Sequence, residues 1–568
     1  MPGTLGAASG KLPRYHPTYP TSWPWIAVRA RQLLAYKVVL EGRPEEFSLT
    51  KTANNMSFSS AADFDSALAT VRASFARGKT KDKKWRKRQL QQAWWMIEDN
   101  KERMQKALHK DLNKHLQETM PFEVAGCHAD ILYNLEHLDE WTRDEKPERT
   151  NPLNFLGGAT VRKEPKGIAL IIGAWNFPFT LLLGPMFDAI AAGCAVIVKP
   201  SDVATACQDL LMEIIPKYLD TDAIRCISAG AKEMGYILEH RFDHIFYTGS
   251  AAVAKFITAA AAKHLTPVTL ELGGQGPAIV CPSADIKLAA KRIAATKFMN
   301  AGQICLNVNH VFVHPSVRRE FVDHLMHYFD IFLGGAPELL PKYYTHIINE
   351  RNFDRLERLL QNTSGNVVYS GQRNRDDLSF SPTIVTEIEI GDSLLSEELF
   401  GPILPIIDAD LDTAISVINS MDHPLAIYGF SRLQKDKDRI LAETLSGGVT
   451  FNDCMLHVAA KGAPFGGVGN SGMGKYHGPY GFLEFTHLRT HIDPPTWMEK
   501  LMSARYPPYT SDKLRKLYQP AKAPFDRQGN KVRWTWGWLY VLAFVVAGSV
   551  AARTGLFNTL VNSGLLAR

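Results

Sequence analysis

The hydrophobic positions along this chain alternate between two periods. From Phe64 to Lys79 and from Lys84 to Asp99, apolar residues recur every three or four positions, which predicts amphipathic helices. Gly167-Ile168-Ala169-Leu170-Ile171-Ile172-Gly173 and Ala195-Val196-Ile197-Val198-Lys199 are instead short unbroken apolar runs, as expected of parallel strands buried on both faces. His244-Ile245-Phe246-Tyr247, the loop Thr248-Gly249-Ser250 and a helix from Ala252 repeat the unit. Strand, loop and helix in this succession predict an α/β fold with a doubly wound sheet and ligands at the carboxyl ends of its strands. Val268-Thr269-Leu270-Glu271 and Pro277-Ala278-Ile279-Val280 then lead into a second αβ region. No internal repeat stands out.

The two ends break the pattern. Residues 534–552, WTWGWLYVLAFVVAGSVAA, carry no charge. As a helix they would span ~28 Å, close to the ~30 Å hydrocarbon core of a bilayer. Trp534, Trp536, Trp538 and Tyr540 open the run, and Lys522, Arg527, Lys531 and Arg533 precede it against the single acid Asp526. Aromatic rings favour the headgroup layer, and a basic flank favours the cytosolic side. The expectation is a C-terminal transmembrane tail anchor, with the preceding chain in the cytosol and the choice of membrane left open. At the other end, the first forty residues contain Lys11, Arg14, Arg29, Arg31 and Lys37 and no acid. Two readings stay open there: an amphipathic targeting segment, or a dispensable extension with Met56 as the working start.

Composition narrows the classes. At 568 residues the chain is too long for one core, which predicts two or three domains. With 45% hydrophobic and 21% charged residues it is an ordinary globular protein, and a net charge of +6 at this length gives no sign of nucleic-acid binding. Seven scattered cysteines without a Cys-x-x-Cys pair speak for a reducing compartment, and against a disulfide framework or a metal site.

One cysteine stands apart. In Asn300-Ala301-Gly302-Gln303-Ile304-Cys305 it follows a small, glycine-bearing turn that can present a thiol to a cleft. Glu271, in Leu270-Glu271-Leu272-Gly273-Gly274, could activate water to release whatever that thiol captures. A cysteine without such context is more often an inert buried thiol. His310 could suggest a Cys–His dyad, but Asn307-Val308-Asn309-His310-Val311-Phe312-Val313 reads as the start of a strand, and His310 is taken as structural, with Asn307 and Asn309 unassigned. Lys199 and Glu397, by themselves, read as solvated charges.

The cysteine and glutamate motifs resemble the catalytic signatures of the NAD(P)-dependent aldehyde dehydrogenases. The resemblance runs from about Phe64 to about His491 and begins only after Met56. Within it, Asn176 of Gly173-Ala174-Trp175-Asn176-Phe177-Pro178 matches the residue that holds the carbonyl oxygen. Lys199 of Val198-Lys199-Pro200-Ser201 matches the contact to the adenosine ribose, and Phe246-Tyr247-Thr248-Gly249-Ser250 matches the loop along the pyrophosphate. Glu398 and Phe400 match the pair around the nicotinamide ribose. Pro464-Phe465-Gly466-Gly467-Val468-Gly469-Asn470-Ser471-Gly472 matches a late motif on the substrate side, and Cys454 falls where that family lines its substrate channel. A full Gly-x-Gly-x-x-Gly fingerprint is missing, since Ala254 stands where a last glycine is frequent. Asp202 replaces a frequent glutamate; a carboxylate there prefers a free 2′-hydroxyl, so NAD is favoured with NADP open.

What the resemblance implies is specific. Cys305 attacks the aldehyde, Asn176 and the Cys305 N–H hold the oxyanion, the cofactor takes the hydride, and Glu271 deprotonates the water that hydrolyses the thioester. The base argues for a free acid product, because branches that transfer the acyl group to coenzyme A commonly lack it. The catalytic set is Cys305, Glu271 and Asn176; the cofactor set is Lys199, Asp202, Gly249, Ser250, Glu398, Phe400 and Trp175. Expected regions are an extension (1–55), a cofactor-binding domain (56–272, with oligomerisation hairpin strands near 150–166), a catalytic domain (273–455), a return to the cofactor and oligomerisation region (456–495), a connector (496–533), the anchor (534–552) and a tail (553–568). A homodimer through the strands near 160–166 and 484–491 is expected. The stretch Gly474-Lys475-Tyr476-His477-Gly478 with Phe482, Phe485 and Arg489 looks like the class 3 branch, which includes membrane-anchored fatty aldehyde dehydrogenases and fungal enzymes that oxidise β-apo-4′-carotenal. A lipophilic aldehyde is therefore the expected substrate. Intact Cys305, Glu271 and Asn176 argue against a catalytically silent membrane scaffold, and a thioesterase would leave Lys199, Glu398 and Phe400 without purpose.

Overall fold

The computed structural model describes residues 58–148, 154, 156–335, 340–518, 523–531 and 545–546. Two sheets organise them. The first has six strands in the order Gly472–Met473, Val268–Glu271, His244–Thr248, Ile168–Ile172, Ala195–Lys199 and Ile224–Cys226. All pairs are parallel except the one at the first edge, where Gly472 sits opposite Glu271. The apolar runs read from sequence are these strands: Ile168–Ile172 and Ala195–Lys199 are buried at every position. Helix Thr180–Ala192 follows the first of them and is buried from Leu182 to Ala192. Each large apolar side chain packed this way contributes ~1.5–3 kcal/mol, and Phe187→Ala would cost ~3–5 kcal/mol.

The second sheet runs Gly448–Phe451, Ala426–Phe430, Pro277–Val280, His310–Val313, Ile403–Asp408, Thr383–Thr386 and Asn366–Tyr369. Its first five pairs are parallel and the last is antiparallel. The chain passes from the first sheet to the second through Leu272–Gly276, so Glu271 ends one sheet within six residues of the start of the other.

Thr160–Pro165 pairs antiparallel with Thr486–His491 as a separate two-stranded arm, from Thr160 opposite His491 to Pro165 opposite Thr486. The strand expected near 160–166 thus pairs with the late strand expected near 484–491; residues 149–153 and 155 lie outside the described set. Helices Ala61–Ala76 and Lys83–Glu98 fall where the helical spacing predicts them. The connector carries two short helices, Glu499–Met502 and Ser511–Leu517. Among the described residues no helix is long and apolar enough to cross a membrane. The expected anchor, 534–552, lies outside them apart from Val545 and Val546, as does the whole of 1–55.

Candidate active site

Helix Ile286–Phe298 leads into a turn in which three successive residues adopt left-handed backbone: Asn300 at φ 50°, Ala301 at φ 49° and Gly302 at φ 71°. For the two that carry a Cβ this costs of order 1–3 kcal/mol each and persists only if the surroundings enforce it. They do. Asn307 Nδ2 donates to the Gly302 carbonyl at 2.6 Å, and the Tyr428 hydroxyl donates to the Leu306 carbonyl at 2.6 Å. Gln303 donates to the carbonyls of Asn300 and His346, and accepts from the Ile348 N–H at 3.0 Å. The Asn300 N–H donates to Glu118 Oε2 at 2.9 Å. Any Cβ on Gly302 would stand 2.3 Å from the Gly401 carbonyl oxygen, so glycine is required. The outcome is a buried turn with only Cys305 half-exposed at its end.

Asn176 meets this turn from the other sheet. Its side-chain Nδ2 donates to the Gln303 carbonyl at 3.1 Å, two residues from the cysteine, and keeps a second hydrogen to offer. Its own carbonyl accepts from Asn300 Nδ2 at 3.3 Å and from Lys114 Nζ at 2.7 Å. Lys114 is fully buried, lies 3.2 Å from Glu123 Oε1 and sits over the Phe177 ring. Glu123 Oε2 accepts in turn from the N–H groups of Phe179 and Thr180. This clamp fixes the loop from Trp175 to Thr180. Glu123 belongs to a π-helical turn, Met120–Val124, a form that concentrates at functional sites.

Glu271 is 2% exposed, and neither carboxylate oxygen has a hydrogen-bond partner. Burial holds its carboxyl well above the ordinary carboxylate range, and the charge of Glu484 adds to the effect. Burial, then Glu398 and Glu271, push the Cys305 thiol up to about 12. At rest the nucleophile is therefore a thiol facing two carboxyls, an arrangement that a cation placed among them would relieve.

The cofactor candidates Lys199, Gly249 and Ser250 stand at the carboxyl ends of two strands of the first sheet. Lys199 ends its strand almost fully buried, with Nζ 2.6 Å from Asp202 Oδ1. Ser250 caps helix Ala251–Ala262, its hydroxyl accepting from the Val253 N–H at 3.4 Å, at a helix N-terminus of the kind that receives anions. A Cβ on Gly249 would lie 2.2 Å from the Tyr247 hydroxyl, so the loop passes close to that ring only as glycine. Likewise a Cβ on Gly273 would lie 2.4 Å from Glu398 Oε1. Glu398 accepts from the Gly274 N–H, and burial lifts its carboxyl to about 7. Phe400, at φ 45°, meets the Trp175 ring edge-to-face at 5.3 Å.

Several holding residues escape motif reading: Glu118, Lys114, Glu123, Tyr428, Arg355, Lys297, Asn307 and Asn309. Arg355 donates to the carbonyls of Glu398 (3.3 Å) and Leu399 (2.6 Å), and Asn309 Oδ1 accepts from the Leu399 N–H at 2.8 Å. Buried Lys297 donates to the Gly401 carbonyl at 3.3 Å. Glu397 is the solvated charge the sequence suggests, its side chain 43% exposed, and it also pairs with Arg355 at 3.2 Å. Lys199, by contrast, is not solvated, given its burial and its ion pair. His310 opens strand His310–Val313 and is buried, with burial lowering it to about 3, so it stays neutral. Cys454 is buried, and its thiol is likewise held high by burial.

The sequence model of a family described as the aldehyde dehydrogenase family matches residues 48–491. The match begins upstream of Met56, earlier than the motifs alone place the start of the resemblance. Aldehyde dehydrogenase family 3 member B1 of Rattus norvegicus is 40% identical over 80% of this chain and 96% of its own length. A protein of Neurospora crassa named beta-apo-4′-carotenal oxygenase is 39% identical over 85% of this chain and 91% of its own. Among solved structures, the substrate-bound state of Staphylococcus aureus AldH superposes with a TM-score of 0.76 at 34% identity, covering 80% of this chain and 98% of that one.

Proposed function

We propose, from the premise that this chain belongs to the aldehyde dehydrogenase family, that it oxidises long, lipophilic aldehydes to carboxylic acids through Cys305, Asn176 and Glu271. The chain is an oxidoreductase that uses NAD or NADP. The cofactor supplies a hydride acceptor; every other demand falls on the chain. Cys305, as thiolate, bonds the aldehyde carbon. Asn176, whose amide already stands at the Cys305 turn, donates to the oxygen as negative charge develops there. A donor so placed is worth ~10²–10³ in rate. Glu271 then takes the proton of the water that attacks the thioester, and Cys305 leaves. Lys199, Ser250 and the Glu398–Phe400 segment hold the cofactor against this site. The observation that carries the reading is the unpartnered Glu271 carboxyl, buried beside the thiol it must later free.

Two observations support a lipophilic substrate and a membrane location. The connector exposes Trp497, Tyr506, Tyr509, Leu514, Leu517 and Tyr518 among Lys513, Arg515 and Lys516, the composition of a headgroup-layer surface. It leads toward the uncharged run 534–552. The name of the Neurospora relative makes β-apo-4′-carotenal the first aldehyde to try, and hexadecanal the alternative. The expected result is Cys305-dependent cofactor reduction faster with these than with a short aldehyde. A chain ending at 533 should move from the membrane to the soluble fraction; if it does not, the anchor reading fails. The arm Thr160–Pro165 with Thr486–His491 supports a homodimer, to be read by sedimentation.

A further inference from the structure

Strand Gly448–Phe451 of the second sheet runs on into a strap, residues 456–464, whose two ends are fixed. Before it, the Asn452 N–H donates to the Gly429 carbonyl at 2.8 Å; after it, Phe465 and Tyr476 exchange both backbone hydrogen bonds. Between these points, and beyond its own turns, the strap is hydrogen-bonded to the rest of the described residues by two side chains only. His457 Nδ1 lies 2.9 Å from Thr450 Oγ1, on the strand just before the strap. Lys461 Nζ donates to Asp130 Oδ1, on helix Ala125–Trp141. That helix is joined to helix Thr180–Ala192 through Asn134, which donates to Asp188 Oδ1 at 3.0 Å.

The Lys461–Asp130 pair therefore ties the two sides of the cleft together. Cys454, just before the strap, lies in the packed cluster that Cys305 borders, and helix Thr180–Ala192 continues the loop that carries Asn176. The strap also rests on the opposite helix: a Cβ on Gly462 would lie 3.0 Å from the Tyr133 hydroxyl. Beside the pair remains a space of only about 10 Å³, lined by Tyr133, Gly184, Asp188, Tyr476 and the pair itself. It holds one water at most. Tyr476 is buried, and burial, then the charges of Glu271 and Cys305, hold its hydroxyl well above the ordinary range, so this space ends next to the catalytic residues. Cys305 itself is half-exposed, open to a small aldehyde with the strap in place. A long acyl chain has no room beside Tyr476 until the strap lifts.

We propose that Lys461 and Asp130 form a latch on this strap whose opening is required of long aldehydes alone, which rests on the reading of the substrate as a long, lipophilic aldehyde. Closed, the latch leaves Cys305 accessible to short aldehydes. Lifting it parts the ion pair, widens the cleft between Tyr133 and the strap, and lets the acyl chain cover Leu456 and Val458, both exposed in the closed form. The pair suits this use. Lys461 is 48% and Asp130 26% exposed, so water replaces each partner as they separate, and the contact is a weak one. A fully buried pair would hold the strap shut. Neither side chain touches the reacting atoms; both are positioning residues.

The test compares chain lengths. The full chain is assayed with saturating NAD, and kcat and KM are taken separately for hexadecanal and for propanal. Lys461→Met and Asp130→Asn each remove the opening step. Either should raise kcat/KM for hexadecanal about two- to fivefold, the range of a part-exposed ion pair, through KM and with propanal unchanged. Asp130→Lys combined with Lys461→Asp rebuilds the pair and should return the native ratio. Added salt should raise kcat/KM for hexadecanal in the native protein and not in Lys461→Met. Thermal unfolding checks that each variant is folded. An unchanged hexadecanal-to-propanal ratio in both single variants, or a rise shared equally by propanal, overturns the latch. Native protein that does not favour hexadecanal defeats the substrate reading and the latch with it, whereas native preference with unaltered variants leaves that reading standing without the latch.

Discussion

Lys114 Nζ donates to the main-chain carbonyl of Asn176 at 2.7 Å, joining two residues that lie far apart in sequence. The contact fixes an amide that must point at an oxygen carrying charge only in the transition state. Lys114→Met should therefore lower kcat by ~10–100-fold, since small misplacements of such groups carry costs of that order. It also leaves Glu123 buried without its cation, which typically destabilises by ~3–5 kcal/mol. Thermal unfolding and steady-state rates of the variant test both effects, and a native kcat would show that the clamp does not position Asn176.

The turn before the nucleophile makes a sharper demand. Gly302→Ala places a Cβ 2.3 Å from a carbonyl oxygen at a residue with φ 71°. Both clash and backbone oppose it, so the thiol must move. We expect aldehyde oxidation to fall by at least ~10²-fold even where far-ultraviolet dichroism is native. Asn307→Ala, which removes only the 2.6 Å bond to the Gly302 carbonyl, should act in the same direction and less severely.

The resting thiol gives a pH prediction. Burial, Glu398 and Glu271 hold it at about 12, so alkylation of Cys305 by iodoacetamide in the cofactor-free protein should keep rising through pH 9 without a plateau. With its carboxyl near 7, Glu398 is negative at pH 8, so Glu398→Gln removes a negative neighbour and should speed alkylation there. A plateau near pH 8 in the native protein would refute this. Stability follows the opposite sign. With Glu398 near 7 folded against about 4.5 unfolded, the unfolded state binds fewer protons between these values, so this group's contribution is full below about 4.5 and is lost as pH rises through 7.

Asp202 should bear on cofactor choice. It neutralises Lys199 at 2.6 Å and brings negative charge to the expected ribose site. Asp202→Asn should raise kcat/KM with NADP relative to NAD, by several-fold or more. An unchanged ratio would place the discrimination elsewhere.

The sequence shows the chemistry of this site more readily than its support. Cys305, Glu271 and Asn176 sit in motifs whose residue types the reaction dictates, and the buried runs before Lys199 and Thr248 are legible as strands because both faces are covered. Lys114 is different. It follows His109, Lys110, Asp111 and Asn113 and has the pattern of a solvated face, yet it is fully buried. Its partners, Glu123 and the Asn176 carbonyl, are set by tertiary packing that no local period encodes. Glu118, Tyr428 and Arg355 escape for the same reason: each acts on main-chain atoms of a distant turn, where residue identity at the receiving end leaves no trace. Asn307 and Asn309 stand next to the nucleophile, but only the left-handed turn at Gly302 and the placement of Leu399 explain them.

The most direct test of the account is to trap the acyl group. Native, Cys305→Ala and Glu271→Gln proteins are mixed with hexadecanal and NAD, and intact mass and cofactor reduction are followed together. The account predicts continuous reduction by the native protein, none by Cys305→Ala, and in Glu271→Gln a single equivalent of reduced cofactor with a hexadecanoyl group on Cys305. Sustained reduction by Cys305→Ala, or full turnover by Glu271→Gln with no acyl adduct, would contradict it.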